Sequence, residues 1–281
     1  FPDPHTPYAV PEPWASMYNP DELTIPKSDP QEHDQNPPHF QMSQDPNADY
    51  SDFHETGYCV HFRYHGESEE KRRKDRAVYY GMISYTDQCI AKILKVLDQE
   101  QLSENTIVVF TSDHGNFIGE HGLILKGPFH YEDMIRVPMI VRWPGKVPAD
   151  RICKNLQSLV DLPPTLLSLS GFDVPEQMTG VDQSGVWQDR PDADSRDHII
   201  CENHQEPTKV NLRTYVDRRY KLTVYANRDW GELFDLQEDP DEKHNLWNDP
   251  DAAELKTQLL LKYISAELNK EVMPMPRIDI S

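Results

Sequence analysis

Apolar and polar positions along the chain predict a long amphipathic helix followed by a short strand. From Glu67 to Gln101 a charged first part leads into YYGMISYTDQCIAKILKVL, where apolar residues recur at spacings of three and four. This period gives a helix one buried face. Thr106 to Thr111 is a β-branched apolar run of strand length that ends at Ser112-Asp113-His114-Gly115. Such a run is typical of a buried central strand, so we expect these polar residues at the carboxyl edge of a sheet, where open α/β sheets build their sites.

The alternation of strand and helix signals continues and then changes character. Residues 137–143 (VPMIVRW) predict a strand, and residues 158–171 predict a strand end followed by a proline-initiated helix that stops at Gly171. After residue 194 come short alternating strands and a final helix at about 252–269. We therefore predict an α/β fold with a mixed, largely parallel sheet flanked by helices over residues 1–193, and a small antiparallel sheet plus helix over residues 194–281.

Charge and composition disfavour several classes of function. Lys and Arg number 28 against 48 Asp and Glu, a net charge of -20, which disfavours binding to nucleic acid or to an anionic membrane surface. The sequence has no run of 18 apolar residues, so it predicts no membrane span. Its four cysteines are widely spaced and form no CxxC, which indicates neither a disulfide framework nor a zinc ribbon.

Residues 26–66 form a polar, turn-rich segment with scattered histidines. These are His33, His39, His54, His61 and His65. Their spacings match no metal-ligand pattern. We interpret the segment as a solvated loop or lid.

Residues 110–146 carry the clearest chemistry. The sequence FTSDHGNFIGEHGLILKGPFHYEDMIRVPMIVRWPGK places Asp113 and His114 at a strand end and Lys126 downstream of them. An Asp-His pair in this position fits either metal binding or simple capping of the next helix. A hard cation prefers carboxylate oxygens, and a lysine supplies a point charge for an anion.

This stretch resembles the formylglycine-dependent (type I) sulfatases of the alkaline phosphatase superfamily, which also have a T-S-D-H-G strand end and a downstream lysine. DPHTPY at residues 3–8 is similar to the family's P-H-x-P-[FY] segment. The resemblance implies that Asp113 and His114 bind Ca²⁺ and that Lys126 binds the sulfate group. It also implies that His5 contacts the sulfate or acts as a general acid toward the leaving alcohol.

Further residues follow from the resemblance less directly. His130, beside the motif, and Arg213, on a predicted C-terminal strand, are candidate substrate-binding residues. His121 in G-E-H-G is expected to make structural hydrogen bonds. The C-terminal runs RTYVDRRYKLTVY and GELFDLQEDPDEKHNL are similar to the C-terminal subdomain common among bacterial members, so the resemblance covers most of the chain.

The family nucleophile is a formylglycine made from Cys or Ser within C/S-x-P-x-R, and no such motif occurs in this sequence. The run that begins at Cys59 keeps the Cys-to-Arg offset but lacks the proline, so we assign Cys59 no catalytic role. We therefore expect the formylglycine and further metal ligands in an N-terminal part of the same enzyme, which this chain would need for turnover.

The expected function is hydrolysis of a sulfate ester of a small molecule or glycan, with release of inorganic sulfate. One alternative is a phosphonate monoester hydrolase or phosphodiesterase of the same superfamily. Another is a non-catalytic sulfate-binding fragment. Sulfatases that act on polysaccharides usually work outside the cytoplasm, so a periplasmic or secreted location is favoured.

Overall fold

The computed structural model describes residues 1–26, 29, 31–45, 47–49, 51–52, 68–193, 195–204 and 209–270. The chain divides into two compact units. The first consists of Phe1–Pro144 with Glu206–Lys209, and the second of Gly145–Gln205 with Val210–Ser281. This division falls earlier than the boundary expected at 193/194, although the four strands of the C-terminal sheet all follow residue 194.

The described residues of the first unit form three α-helices and four short strands, besides short 3₁₀ turns. The helices are α1 (Pro38–Met42), α2 (Glu69–Gln99) and α3 (Glu132–Ile135). The strands are β1 (Val108–Thr111), β2 (Phe117–Ile118), β3 (Ile124–Leu125) and β4 (Met139–Arg142).

The long helix α2 begins and packs as its sequence dictates. The Ser68 side chain accepts a hydrogen bond from the backbone N–H of Lys71 and so caps the first turn. On the buried face, a Cβ at Gly81 would lie 2.2 Å from the backbone oxygen of Trp14, so only glycine allows the N-terminal segment to approach this closely. Edge-on contact between Tyr8 and Tyr79, with ring centroids 5.7 Å apart, fastens the same segment to the helix.

Strand β1 pairs with β4, and the pairing is antiparallel. Phe110 is opposite Ile140, and these side chains are 39% and 62% exposed. The expectation of a fully buried strand is therefore wrong for this face of β1, which the described residues do not cover. All strand pairs among the described residues are antiparallel, and the largely parallel sheet stays a prediction.

In the described part of the second unit there are three α-helices and four strands. The helices are α4 (Leu162–Leu169), α5 (Ser184–Trp187) and α6 (Ala253–Lys270). The strands are β5 (Ile199–His204), β6 (Asn211–Val216), β7 (Tyr220–Tyr225) and β8 (Gly231–Asp235). Helix α4 follows a 3₁₀ turn at Leu159–Asp161 and precedes Gly171, whose positive φ of 78° agrees with the predicted stop.

The C-terminal sheet has the strand order β5-β6-β7-β8, and every neighbouring pair is antiparallel. Side chains on one face, including Tyr215, Leu222 and Leu233, form a core with Leu259 and Ala266 of α6. This arrangement confirms the small antiparallel sheet with a helix packed on it.

Charged groups are buried in the C-terminal sheet. Lys221 forms an ion pair with Glu242, and both side chains are almost fully buried. Tyr225 donates a hydrogen bond to the nearby Glu232 carboxylate. Burial raises the pKa of Glu232 from its ordinary value to about 7, although Tyr225 and Lys221 act in the opposite direction.

Candidate active site

The turn after β1 brings the Asp-His pair to the surface of the first unit. Ser112 Oγ donates to the backbone oxygen of His114 at 3.0 Å, and the backbone N–H of His114 donates to Asp113 Oδ1 at 3.0 Å. The N–H of Gly115 then donates to the backbone oxygen of Met134 at 2.7 Å. These bonds fix the turn against α3 and leave the Asp113 side chain 85% exposed.

A two-residue hairpin carries Lys126 back to this turn. In the hairpin, Phe117 of β2 is paired with Leu125 of β3, so Lys126 leaves the hairpin beside the point where His114 entered it. Lys126 Nζ lies 3.3 Å from His114 Nε2. Leu125 has a positive φ of 61°, which is unusual for a branched side chain and marks a constrained backbone immediately before the lysine.

The N-terminal segment places a second imidazole against the same lysine. His5 Nε2 lies 3.4 Å from Lys126 Nζ, although the two residues are 121 positions apart. His5 Nδ1 is 2.7 Å from the backbone oxygen of Thr6, and His114 Nδ1 is 2.7 Å from that of Gly115. A carbonyl oxygen only accepts, so each Nδ1 is the donor and each Nε2 directs a lone pair at the ammonium when the ring is neutral.

A hydrogen bond that sequence reasoning missed joins the two segments that bear the imidazoles. Asn116 Nδ2 donates to Tyr8 Oη at 2.9 Å. Asn116 is two residues beyond His114, and Tyr8 is three residues beyond His5. In the sequence, both polar residues lie close to candidate site residues, but nothing there indicates that they contact each other.

Asp113 remains ionised in this environment. Its partial burial raises its pKa, but the neighbouring His114 imidazole, 3.6 Å away, and hydrogen bonds from His114 N–H and Ser112 lower the pKa below the ordinary value. The turn therefore presents a carboxylate at neutral pH.

The predicted metal ligands fit Ca²⁺ in part. The exposed Asp113 carboxylate offers the hard oxygen that Ca²⁺ prefers, and His114 Nε2 directs a lone pair outward from the same turn. Ca²⁺ takes about 6–8 ligands, whereas no group of three or more metal-binding side chains of the kind His, Cys, Asp or Glu occurs among the described residues. The described part of the chain thus supplies two candidate ligands of a larger set.

The other predicted residues have different local surroundings. His130 is buried, with 5% of its surface exposed. Arg213 is in the second unit, where its guanidinium contacts the Glu267 carboxylate at 2.5 Å and the Glu202 carboxylate at 3.9 Å. Substrate binding by His130 and Arg213 stays a prediction. Cys59 lies outside the described residues.

The fold is α/β, and the cluster gathers a lysine, two imidazoles and a carboxylate at the end of strand β1. The family model described as sulfatase matches residues 1–172, and the model described as N-sulphoglucosamine sulphohydrolase, C-terminal, matches residues 119–269. The chain therefore belongs to the sulfatase family.

Individual relatives agree with this assignment. Choline-sulfatase of Rhizobium meliloti is 28% identical over 250 residues, which cover 89% of this chain and 46% of the relative. Delta 4,5-hexuronate-2-O-sulfatase of Bacteroides thetaiotaomicron is 31% identical and covers 65% of this chain and 39% of the relative. The chain thus spans less than half the length of these curated relatives.

Solved structures give the same fold. BT4656 in complex with its substrate D-glucosamine-2-N,6-O-disulfate has a TM-score of 0.68 at 26% identity and covers 72% of this chain and 42% of that one. Phosphonate monoester hydrolase of Agrobacterium radiobacter has a TM-score of 0.79 at 25% identity, with 96% of this chain and 56% of that one covered.

No helix in the described ranges has both the length and the apolar character needed to cross a bilayer.

Proposed function

We propose that this chain forms part of a Ca²⁺-dependent sulfatase that releases inorganic sulfate from a sulfated sugar or another small sulfate monoester. The observation that carries the proposal is the convergence of Lys126 Nζ with the Nε2 atoms of His5 and His114, 3.4 and 3.3 Å away, beside the exposed carboxylate of Asp113. Membership of the sulfatase family supports the choice of sulfate as the anion.

The chemistry of the cluster suits a sulfate ester. The Lys126 ammonium is a point charge that can move from the imidazole lone pairs to the sulfate oxygens, where charge develops during the reaction. His5 is exposed, and its Nε2 can hold a proton for the departing alcohol oxygen, because Nδ1 is already committed to Thr6. Asp113 and His114 would hold Ca²⁺ together with ligands from elsewhere.

Bound Ca²⁺ would supply charge stabilisation, and a formylglycine would supply the nucleophile that the family resemblance implies. The described residues then have the tasks of binding the anion, orienting it and protonating the leaving group. The relatives named as hexuronate-2-O-sulfatase and N-acetylglucosamine-6-O-sulfatase favour a sulfated glycan as substrate.

The test is release of inorganic sulfate by the full-length product of the gene that encodes this chain, with p-nitrophenyl sulfate and sulfated hexosamines as substrates and Ca²⁺ present. Replacing Lys126 with alanine should lower kcat/KM by about tenfold or more, since each 1.4 kcal/mol of lost transition-state stabilisation is a factor of about ten. Lys95→Ala, an exposed lysine on α2, is the matched control and should keep wild-type activity. Equal activity of the two variants would contradict the proposed role of Lys126.

A second candidate function is hydrolysis of phosphonate monoesters. It is favoured by the phosphonate monoester hydrolase structures, which align over 96% and 99% of this chain with TM-scores of 0.79 and 0.82, the latter at 22% identity. Comparing kcat/KM for p-nitrophenyl sulfate and p-nitrophenyl phenylphosphonate decides between the two. A ratio in favour of the phosphonate would replace the sulfatase assignment.

A further inference from the structure

The hairpin that carries Lys126 has a second end, where a buried histidine lies between two carboxylates. His121 Nδ1 is hydrogen-bonded to Glu32, and His121 Nε2 lies 3.3 Å from Asp133 Oδ2. The ring also stacks on Tyr131, with centroids 3.6 Å apart and planes 1° apart. The side chain of His121 is 8% exposed and that of Glu32 is 4% exposed, so solvent hardly screens their interaction.

This cluster joins three segments that are distant in sequence. Glu32 belongs to the turn before α1, His121 to the tip of the β2–β3 hairpin, and Asp133 to α3. The neighbouring His33 adds a hydrogen bond from its Nε2 to the backbone oxygen of His121 at 2.9 Å, since that oxygen can only accept. The turn that bears Glu32 and His33 is thus packed onto the hairpin. The expected solvated loop is wrong for His33 and His39, which are 1% and 0% exposed.

The backbone of the tip needs an external anchor. His121 has a positive φ of 53° with ψ of 22°, a left-handed conformation that non-glycine residues adopt at some cost. Each strand of the hairpin is only two residues long, so its ladder contributes few hydrogen bonds of its own. The position of the hairpin therefore depends on side chains that hold its tip.

Asp133 contacts both His121 at the tip of the hairpin and the turn that bears Asp113 and His114. Its side chain contacts His121. Its backbone oxygen would lie 1.8 Å from a Cβ built on Gly115, so the backbone of α3 is in direct contact with the turn. The next residue, Met134, accepts the hydrogen bond from the Gly115 N–H at 2.7 Å. The same short helix thus contacts the turn that bears His114 and the tip of the hairpin that bears Lys126.

We propose that His121, held between Glu32 and Asp133, is a positioning residue that keeps Lys126 opposite His114 and His5 by fixing the closed end of the hairpin. The inference rests on the proposed function only in taking the Lys126 cluster as the oxyanion site. A displacement of about 1 Å far from the chemistry can cost about a hundredfold in rate, so the anchor matters for function as well as for folding.

The charge state of the anchor makes the proposal testable. Burial lowers the pKa of His121, but hydrogen bonds and charge from Asp133 and Glu32 outweigh this and raise the pKa to about 9. The groups that face the ring are Glu32 from the turn, Asp133 and Tyr131 from the α3 region, and the imidazole of His33, whose own pKa is lowered mainly by burial. The imidazolium is therefore retained at neutral pH and lost as the pH rises through about 9.

The experiment measures the Kd of inorganic sulfate by calorimetry at pH 7.0 and pH 8.5, together with kcat and KM, for the full-length protein and its variants. His121→Asn keeps a side chain that tolerates the left-handed conformation but cannot act as a cation, and should weaken sulfate binding about tenfold or more. Asp133→Asn removes one carboxylate and lowers the pKa of His121. Its Kd relative to wild type should therefore be about twofold higher at pH 7.0 and about tenfold higher at pH 8.5.

His244→Asn is the control, because His244 is a surface histidine whose side chain is 80% exposed. Its Kd should equal that of wild type at both pH values. A purely structural role for the cluster would give Asp133→Asn the same Kd ratio at both pH values, and that result overturns the proposal even if His121→Asn does not fold. If the wild-type protein binds sulfate but hydrolyses no sulfate ester, the proposed function is wrong. The Kd ratios of the variants would still test the role of His121.

Discussion

Replacing Gly115 with alanine adds one methyl group at a position where the backbone of α3 leaves no space. The new Cβ would lie 1.8 Å from the Asp133 oxygen, 2.8 Å from the Asp133 carbonyl carbon and 3.0 Å from Met134 Cα. All three neighbours are backbone atoms, so no side-chain rotation relieves the overlap. The turn and α3 must separate, and the 2.7 Å hydrogen bond from Gly115 N–H to Met134 oxygen is lost or lengthened.

The magnitude follows from these two effects. Overpacking in a well-packed region costs about 1–3 kcal/mol, and a lost backbone hydrogen bond adds about 1 kcal/mol. We expect the free energy of unfolding to fall by roughly 2–4 kcal/mol in total. The kcat/KM at 25 °C should fall by more than the fraction of unfolded protein accounts for, because the same turn orients Asp113 and His114.

Urea unfolding followed by circular dichroism, with kcat/KM measured in parallel, tests this prediction. Gly145→Ala is the comparison: Gly145 has a positive φ of 72° and no described atom within 4 Å of a built Cβ, so it reports backbone strain without overlap. Gly115 does not have a positive φ, so the loss in Gly115→Ala reports overlap. We expect a loss of about 1 kcal/mol for Gly145→Ala. A Gly115→Ala protein as stable and active as Gly145→Ala would refute the close approach of α3 to the turn.

Three further predictions concern single side chains. Tyr8→Phe removes the acceptor of the Asn116 amide and should lower kcat/KM by about two- to tenfold, in line with one hydrogen bond of about 0.5–1.5 kcal/mol; unchanged kinetics would contradict it. Asp113→Asn should weaken Ca²⁺ binding about tenfold or more, measured by calorimetry, and an unaltered Kd would remove Asp113 from the ligand set. Because the folded-state pKa of Glu232 is raised to about 7, its contribution to stability is fully present below pH 4.5 and lost as the pH rises through 7. Glu232→Gln should flatten this dependence of melting temperature between pH 5 and 8, and an equally steep profile would count against the assignment.

Local patterns predicted most of the helices and strands. The helix expected at 67–101 is observed as Glu69–Gln99, and the strands expected at 106–111 and 137–143 are observed as Val108–Thr111 and Met139–Arg142. These elements follow from apolar periodicity and end signals within a dozen residues. The pairing of the two strands could not be predicted in the same way, because pairing depends on which surfaces meet across the fold.

The residues that support the site were also beyond local patterns. Glu32 contacts His121 across 89 positions, and Asn116 contacts Tyr8 across 108 positions. Polar composition made residues 26–66 resemble a solvated loop, yet His33 is buried because its ring and backbone turn pack on the hairpin. A buried histidine with a hydrogen-bond partner and an exposed one give the same sequence signal.

The carboxylates around the hairpin fall into two kinds: those that hold its tip and the one that is a candidate metal ligand. Glu32, 4% exposed, pairs with the His121 ring at the closed end, where burial would make an unpaired carboxylate costly. Asp133, 42% exposed, contacts the other ring nitrogen. Asp113 lies on the turn that enters the open end, with its side chain 85% exposed and no lysine or arginine among its described ion-pair partners. In a chain with a net charge of -20, exposed carboxylates are common. What distinguishes Asp113 is that the backbone on both sides of it is fixed, by β1 before it and by the Gly115–Met134 bond after it. A carboxylate fixed in this way can bind a cation without losing further backbone entropy. For this reason we assign the ligand role to Asp113 and the structural role to Glu32 and Asp133, which are already paired with His121.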